Sequence, residues 1–161
     1  GLLSHDGVRC VIVGAAGDAA VGELILSSLP GPIPARVIDL IGQTNMAQLV
    51  GVLQAADVMV GNDSGAVHLA AALGTKVGAT FGPTDERHSS PLAHHEAPAI
   101  IVTNDVWCRP CMIMKDCPID HSCMTGITPE RVQSAVVELL GRTKVPPHVR
   151  HTSPDIRRQE L

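Results

Sequence analysis

The sequence predicts an α/β fold, a parallel sheet flanked by helices, and three observations carry that prediction. Short apolar runs alternate with helix-period segments along most of the 161 residues, the signature of strand–crossover–strand units. Hydrophobic residues make up 45% of the chain and aromatics only 1%, namely Phe81 and Trp107. A core of Val, Leu, Ile and Ala follows, as suits strands buried on both faces under small-residue helices. The apolar runs end in Gly, Asn, Asp or Pro, residues that turn the chain. The length suits one ordinary domain. A net charge of −4 speaks against nucleic-acid binding, which usually requires a basic face. The sequence shows no apolar run long enough to cross a bilayer and no signal peptide at its start.

The elements follow in order. Arg9 to Gly14 reads as a buried strand, and Asp18 to Leu29 as a helix stopped by Pro30-Gly31-Pro32. Arg36 to Ile41 is the second strand. Met46, Leu49, Val50 and Leu53 keep helical spacing, and Asn45 with Gln48 has the form of a capping box. Asp57 to Gly61 is a third strand, followed by Asn62-Asp63-Ser64-Gly65 and a small-residue helix from about Ala66 to Leu73. Gly74 is placed to stop that helix. Lys76 to Phe81 and Ala99 to Thr103 are the fourth and fifth strands. Thr128-Pro129-Glu130 opens a last helix with a cap, a first-position proline and an acid beside the positive helix end. Its apolar stripe is Val132, Ala135, Val136, Leu139 and Leu140. The domain is expected over 1–141, with a cysteine-bearing loop at 107–124 and a polar tail at 142–161.

Ligands of open parallel sheets bind at the carboxyl ends of the strands. Three segments fall there. Gly14-Ala15-Ala16-Gly17-Asp18 lacks a full glycine fingerprint and reads as an ordinary small-residue turn. Asn62 to His68 holds Asp63, Ser64, Gly65, Ala66 and His68 around a helix start, where bare amides and the helix dipole favour an anion. Gly65 has no side chain to block a ligand. The plain alternative is that Asp63 or Ser64 caps the helix and His68 is a core residue. Phe81-Gly82-Pro83-Thr84-Asp85 is the third segment: a tight turn, or a cleft wall contributed by Thr84 and Asp85.

Taken as an ordered series, "DVMVGNDSGAVHLAAALGTKVGATFGPTDER" (57–87), the preceding "LIGQTNMAQLVGVLQAAD", and "CRPCMIMKDCPIDHSCMTGITPERV" further on resemble the C-terminal half of glycosyltransferase family 9, the heptosyltransferases. The resemblance covers roughly residues 10 to 140. It implies the Rossmann-like C-terminal half of a GT-B architecture, without the strand that usually opens this half. That strand belongs mid-sheet, so the remaining strands either re-pair or leave the fold less stable. By the same resemblance Asp63, Ser64, Gly65, Ala66 and His68 bind the sugar-nucleotide donor, with Thr84 and Asp85 in the second cleft loop. It implies inverting, metal-independent transfer from ADP-heptose to the lipopolysaccharide inner core, at the cytoplasmic face of the inner membrane. No catalytic residue is assigned in this stretch, because the general base is expected in an N-terminal acceptor domain. These 161 residues alone are therefore expected not to complete a transfer.

The cysteines are a separate matter. Cys10 sits in an apolar run and reads as a small buried hydrophobe. Cys108, Cys111, Cys117 and Cys123, with His121 nearby, have spacing that permits a structural zinc site, although a second C-x-x-C is missing. The alternative is a compact loop of partly buried thiols turned by Pro110 and Pro118. His88, His94 and His95 read as exposed loop residues. Two rival functions remain: an enzyme of the same architecture using another sugar nucleotide (an epimerase included), and a non-catalytic module whose zinc-stabilised loop is an interaction surface. A dinucleotide-dependent oxidoreductase ranks lower, for want of the glycine fingerprint.

Overall fold

The computed structural model describes residues 1–29, 35–93, 97–112 and 116–141. The expected stop at Pro30-Gly31-Pro32, His94, His95 and the tail at 142–161 lie outside these. The elements run β1 (Cys10–Ile12), α1 (Ala19–Ser27), β2 (Val37–Asp39), α2 (Met46–Ala55), β3 (Val58–Asn62) and α3 (Gly65–Ala72). They continue with β4 (Lys76–Phe81), α4 (Glu86–Ser89), β5 (Ala99–Thr103), α5 (Ser122–Thr125) and α6 (Pro129–Gly141). Short 3₁₀ turns cover Leu2–Ser4 and Ala16–Asp18.

Local chemistry accounts for the borders. Asn45 Oδ1 accepts from the Gln48 N–H and Gln48 Oε1 from the Asn45 N–H, both at 2.9 Å, closing the expected capping box. Gly74 follows α3 with φ of 80°, the left-handed geometry a helix stop favours. α6 begins at Pro129 as expected. There the Glu130 carboxylate is held below its ordinary range by its own backbone N–H and by the Thr128 hydroxyl.

All strand pairs are parallel, but the described residues form two sheets rather than one continuous sheet: β1–β2 and β3–β4–β5. β1 and β3 have not re-paired across the break. A hollow of about 850 Å³ opens between the two parts, lined among others by Leu2, Leu29, Arg36, Thr80, Ile127 and Val132.

The core sits on the three-stranded sheet. Val77, Ala79 and Phe81 of β4 face α2 and α3, packing with Leu53, Val67, Ala70 and Ala71. The alternate residues face α6: Gly78 lies under Leu139 and Val136, and Lys76 Nζ donates to the Leu139 carbonyl at 2.6 Å. That buried ammonium satisfies an end carbonyl of α6 and complements its dipole. Gly61 is required by packing, because a Cβ there would stand 2.9 Å from Val67 Cγ2. β4, with a strand on each side and helices on both faces, is the best-covered element. Cys10, expected to be buried, is partly exposed on the thinly covered β1.

Candidate functional site

The carboxyl ends of β3 and β4 lie side by side, with Asn62 opposite Thr80. The Asp63 N–H donates to the Thr80 carbonyl at 3.1 Å, so the turn after β3 is pinned to its neighbour. Ser64 is the N-cap residue of α3 in extended geometry, but its side chain makes no capping bond. Its carbonyl instead accepts from Val67 and His68. Asp63 does not cap the helix either. Its Oδ1 lies 3.3 Å from His68 Nε2, tying the turn to a residue one helical turn further on. The plain capping alternative therefore fails for both side chains.

The consequence is an open helix start. Among the described residues no hydrogen bond engages the N–H groups of Gly65 or Ala66. A Cβ at Gly65 would meet nothing within 4 Å, so packing does not require glycine there. His68 is 41% exposed and Asp63 21%, so the pair faces solvent while Val67 beneath it is fully buried. Bare amides, a carboxylate and an imidazole thus share one surface. That set suits an anion together with a hydroxylated group.

The turn after β4 is built differently. Thr84 Oγ1 is buried and has no hydrogen-bond partner, a costly state that a ligand oxygen or a water would relieve. Asp85 is N-cap of α4, and its oxygens are taken up within the loop. They accept from the Arg87 backbone N–H (3.0 Å), Nε (2.9 Å) and Nη2 (2.8 Å), and His88 Nδ1 lies at 3.1 Å. The Arg87 guanidinium, with help from the Arg87 N–H and His88, holds the Asp85 carboxyl well below the usual carboxylate range, against the opposing pull of burial. His88, read as a plain loop histidine, thus has a partner. The structure brings Asp63, Ser64, Gly65, Ala66 and His68 together on one helix start, and sets Thr84 and Asp85 on the adjacent strand end.

Arg109 was not singled out by its sequence context. Its Nε donates to the Gly82 carbonyl at 2.6 Å, and its Nη2 meets Glu86 Oε2 at 2.6 Å, from a side chain only 8% exposed. The Cys111 and Met112 N–H groups both donate to the Pro83 carbonyl. The cysteine loop is therefore clamped onto the turn that carries Thr84 and Asp85. Cys108, Cys111, Cys117, Cys123 and His121 line one small hollow with Pro83 and Pro118. Burial, and then the neighbouring Cys111, Cys117 and Cys123, push the Cys108 thiol up.

A parallel α/β unit with an open helix start and a hydroxyl-bearing turn at its strand ends defines the class: a Rossmann-like α/β domain whose strand-end surface suits an anion. The family is given by comparison. The model of glycosyltransferase family 9 (heptosyltransferase) matches residues 1–121, and the chain belongs to that family. It is 31% identical over 143 residues to lipopolysaccharide heptosyltransferase 2 of Salmonella typhimurium, covering 89% of this chain and 40% of that protein. It is 36% identical over 106 residues to lipooligosaccharide heptosyltransferase 2 of Campylobacter jejuni, covering 65% of this chain and 32% of that one. The solved structure of E. coli ADP-heptose LPS heptosyltransferase II superposes with a TM-score of 0.68 at 30% identity, over 86% of this chain and 38% of that one. A family 9 glycosyl transferase from Veillonella parvula shares the fold, with a TM-score of 0.67 at 20% identity over 83% of this chain and 37% of that one. The chain thus spans about 40% of the length of the curated relatives it matches over most of its own length.

Proposed function

We propose that this chain is the donor-binding part of an inverting, metal-independent glycosyltransferase that takes heptose from ADP-heptose to the lipopolysaccharide inner core. The observation that carries the reading is the open start of α3: unengaged Gly65 and Ala66 amides beside the Asp63–His68 pair. The diphosphate sits against those amides, where the helix dipole favours negative charge. Asp63 accepts from sugar hydroxyls, and His68 donates to a phosphate or hydroxyl oxygen. Thr84 Oγ1 gains a partner from the ligand, while Asp85 shapes the turn rather than touching the sugar.

Transfer in this reading is attack of an acceptor hydroxyl on the anomeric carbon, with the nucleoside diphosphate leaving from the opposite face. Charge grows on the leaving group as the bond breaks, and a preorganised helix start stabilises it without having to reorient. The hydroxyl's proton goes to a general base on an acceptor-side domain, which the GT-B architecture sets across the cleft. The acceptor places the enzyme at the cytoplasmic face of the inner membrane. Among the described residues no helix is long and apolar enough to cross a membrane, and attachment there is peripheral in this reading.

Calorimetric titration with ADP, ADP-heptose, UDP and GDP tests it, using the wild type and an Asp63→Ala, His68→Ala double variant. Binding selective for the adenine nucleotides and lost in the variant supports the assignment. Preference for a uridine or guanosine nucleotide moves the chain to another sugar donor. Equal binding by wild type and variant sinks the site.

A further inference from the structure

Little of the described part of the loop over 107–124 is buried. Among its described residues only Cys123 is buried, while Trp107 is 78% and Met112 66% exposed. Polar bonds from Arg109, Cys111 and Met112 fasten the loop to the turn at 82–86, and they leave its thiol-bearing interior without an apolar core. Four cysteines line one small, partly open hollow of about 30 Å³, with Pro83, Pro118 and His121 completing its wall.

The backbone around the hollow is bent toward the same end. Among the described residues, Met112, Asp120 and His121 are the non-glycine residues with positive φ, at 51°, 46° and 55°. L-residues avoid this left-handed region. Met112 directly follows Cys111, and the other two lie between Cys117 and Cys123. The turn at 120–121 aims the His121 N–H at Cys117 Sγ, at 3.1 Å. Backbone N–H donation to sulfur steadies a thiolate and orients it for a metal.

We propose that Cys108, Cys111, Cys117 and Cys123 hold one structural zinc ion in a closed tetrahedral set of four thiolates. The spacing is C-x2-C-x5-C-x5-C. Zinc favours such sulfur sets, with Zn–S bonds of about 2.3 Å. As the side chains stand, no set of three His, Cys, Asp or Glu groups among the described residues already has the arrangement to hold an ion. Loading therefore draws the sulfurs inward by side-chain rotation. Each thiol that ligates loses its proton to solvent, and the ion supplies the attraction that neutral thiols lack. The ion takes no substrate and has no open position.

Its effect reaches the neighbouring turn. Pro83 lines the hollow and accepts from Cys111 and Met112, and Arg109 grips Gly82 and Glu86. An ion that fixes the cysteine loop thereby fixes the turn carrying Thr84 and Asp85. The proposal stands independently of what that turn binds.

The test is metal content and cobalt spectroscopy on the protein at its full encoded length, purified under reducing conditions with zinc in the medium. The expected result is about one zinc per chain, surviving dialysis, kept in Cys10→Ser and lost in Cys111→Ser and Cys117→Ser. Cobalt(II) added after zinc removal should give the intense absorption of a tetrahedral thiolate site. Four of the five cysteines should resist alkylation until a chelator is added. That last reading needs no variant, so it holds even if the serine variants misfold. A folded, reduced protein with no stoichiometric zinc and no cobalt–thiolate bands overturns the proposal, and so does iron in place of zinc or a pair of disulfides among the four.

Discussion

The region built on β3, β4 and β5 and the region built on β1 and β2 use the same alternation of apolar runs and helices, yet they bury very different amounts of it. In the first, Leu53, Val67, Val77 and Phe81 are 0–2% exposed. In the second, Val11, Val21, Leu24, Ile25 and Ile38 are 43, 56, 70, 44 and 47% exposed. The difference lies in coverage. β4 has a strand on either side, α2 and α3 on one face and α6 on the other. Among the described residues β1 has a single strand partner in β2. Apolar periodicity reports the capacity to bury a face, and burial itself needs a neighbour to bury it against.

The largest expected effect breaks or confirms this contrast directly. Phe81→Ala removes a fully buried ring and should cost about 3–5 kcal/mol. Leu24→Ala, on the exposed face of α1, should cost under about 0.5 kcal/mol. Denaturant unfolding of both variants checks the pair, and equal losses would show α1 to be as tightly packed as β4.

Next in size is Lys76→Met, which leaves the Leu139 carbonyl without its donor. A loss of about 1–3 kcal/mol is expected in the same unfolding measurement. An unchanged midpoint would mean that the Lys76 bond adds nothing to the hold of α6 on the sheet.

Two glycines sharpen the comparison within the better-covered region. Gly61→Ala drives a Cβ to 2.9 Å from Val67 Cγ2 and should cost about 1–3 kcal/mol. Gly65→Ala meets nothing and should leave stability within about 0.5 kcal/mol while weakening nucleotide binding. If thermal melts show both to be destabilising, the surface at Gly65 is filled rather than open.

The smallest effect concerns acid. Asp85 has its folded-state pKa depressed below the unfolded value, chiefly by the Arg87 side chain. Its contribution to stability is therefore complete above the ordinary carboxylate range and fades as pH falls below it. Asp85→Asn should flatten that part of the stability–pH curve and leave the slope near neutrality unchanged. An identical acid limb in the variant would show that the Arg87 contact contributes nothing in solution.

Much of the fold was legible because its signals are local. β4, β5 and the start of α6 fall where apolar runs and the Thr128-Pro129-Glu130 cap put them. The Asn45–Gln48 box forms between residues three apart. The first strand is shorter than its reading: Arg9 to Gly14 reads as one strand, but only Cys10–Ile12 is strand, although the Gly42 N–H still donates to the Gly14 carbonyl beyond it. At the site, sequence order placed Asp63, Gly65 and His68 on one turn of helix. It did not show that Asp63 turns to His68 instead of capping, nor that Asp85 is taken up by Arg87 and His88.

By itself, then, the sequence determined the α/β class, the parallel strands, the helix starts and the residues gathered at the ends of β3 and β4. The helix starts and the groups at each strand end depend on neighbours within a few positions, where spacing fixes geometry, and the alternation of strands and helices implies the parallel pairing. Tertiary structure alone decided the break between the two sheets and the bond from Lys76 to a carbonyl 63 residues away. The same holds for the Arg109 clamp on the turn at 82–86 and the single hollow shared by four cysteines. Those outcomes turn on which surfaces find each other in three dimensions, and no local spacing encodes that choice.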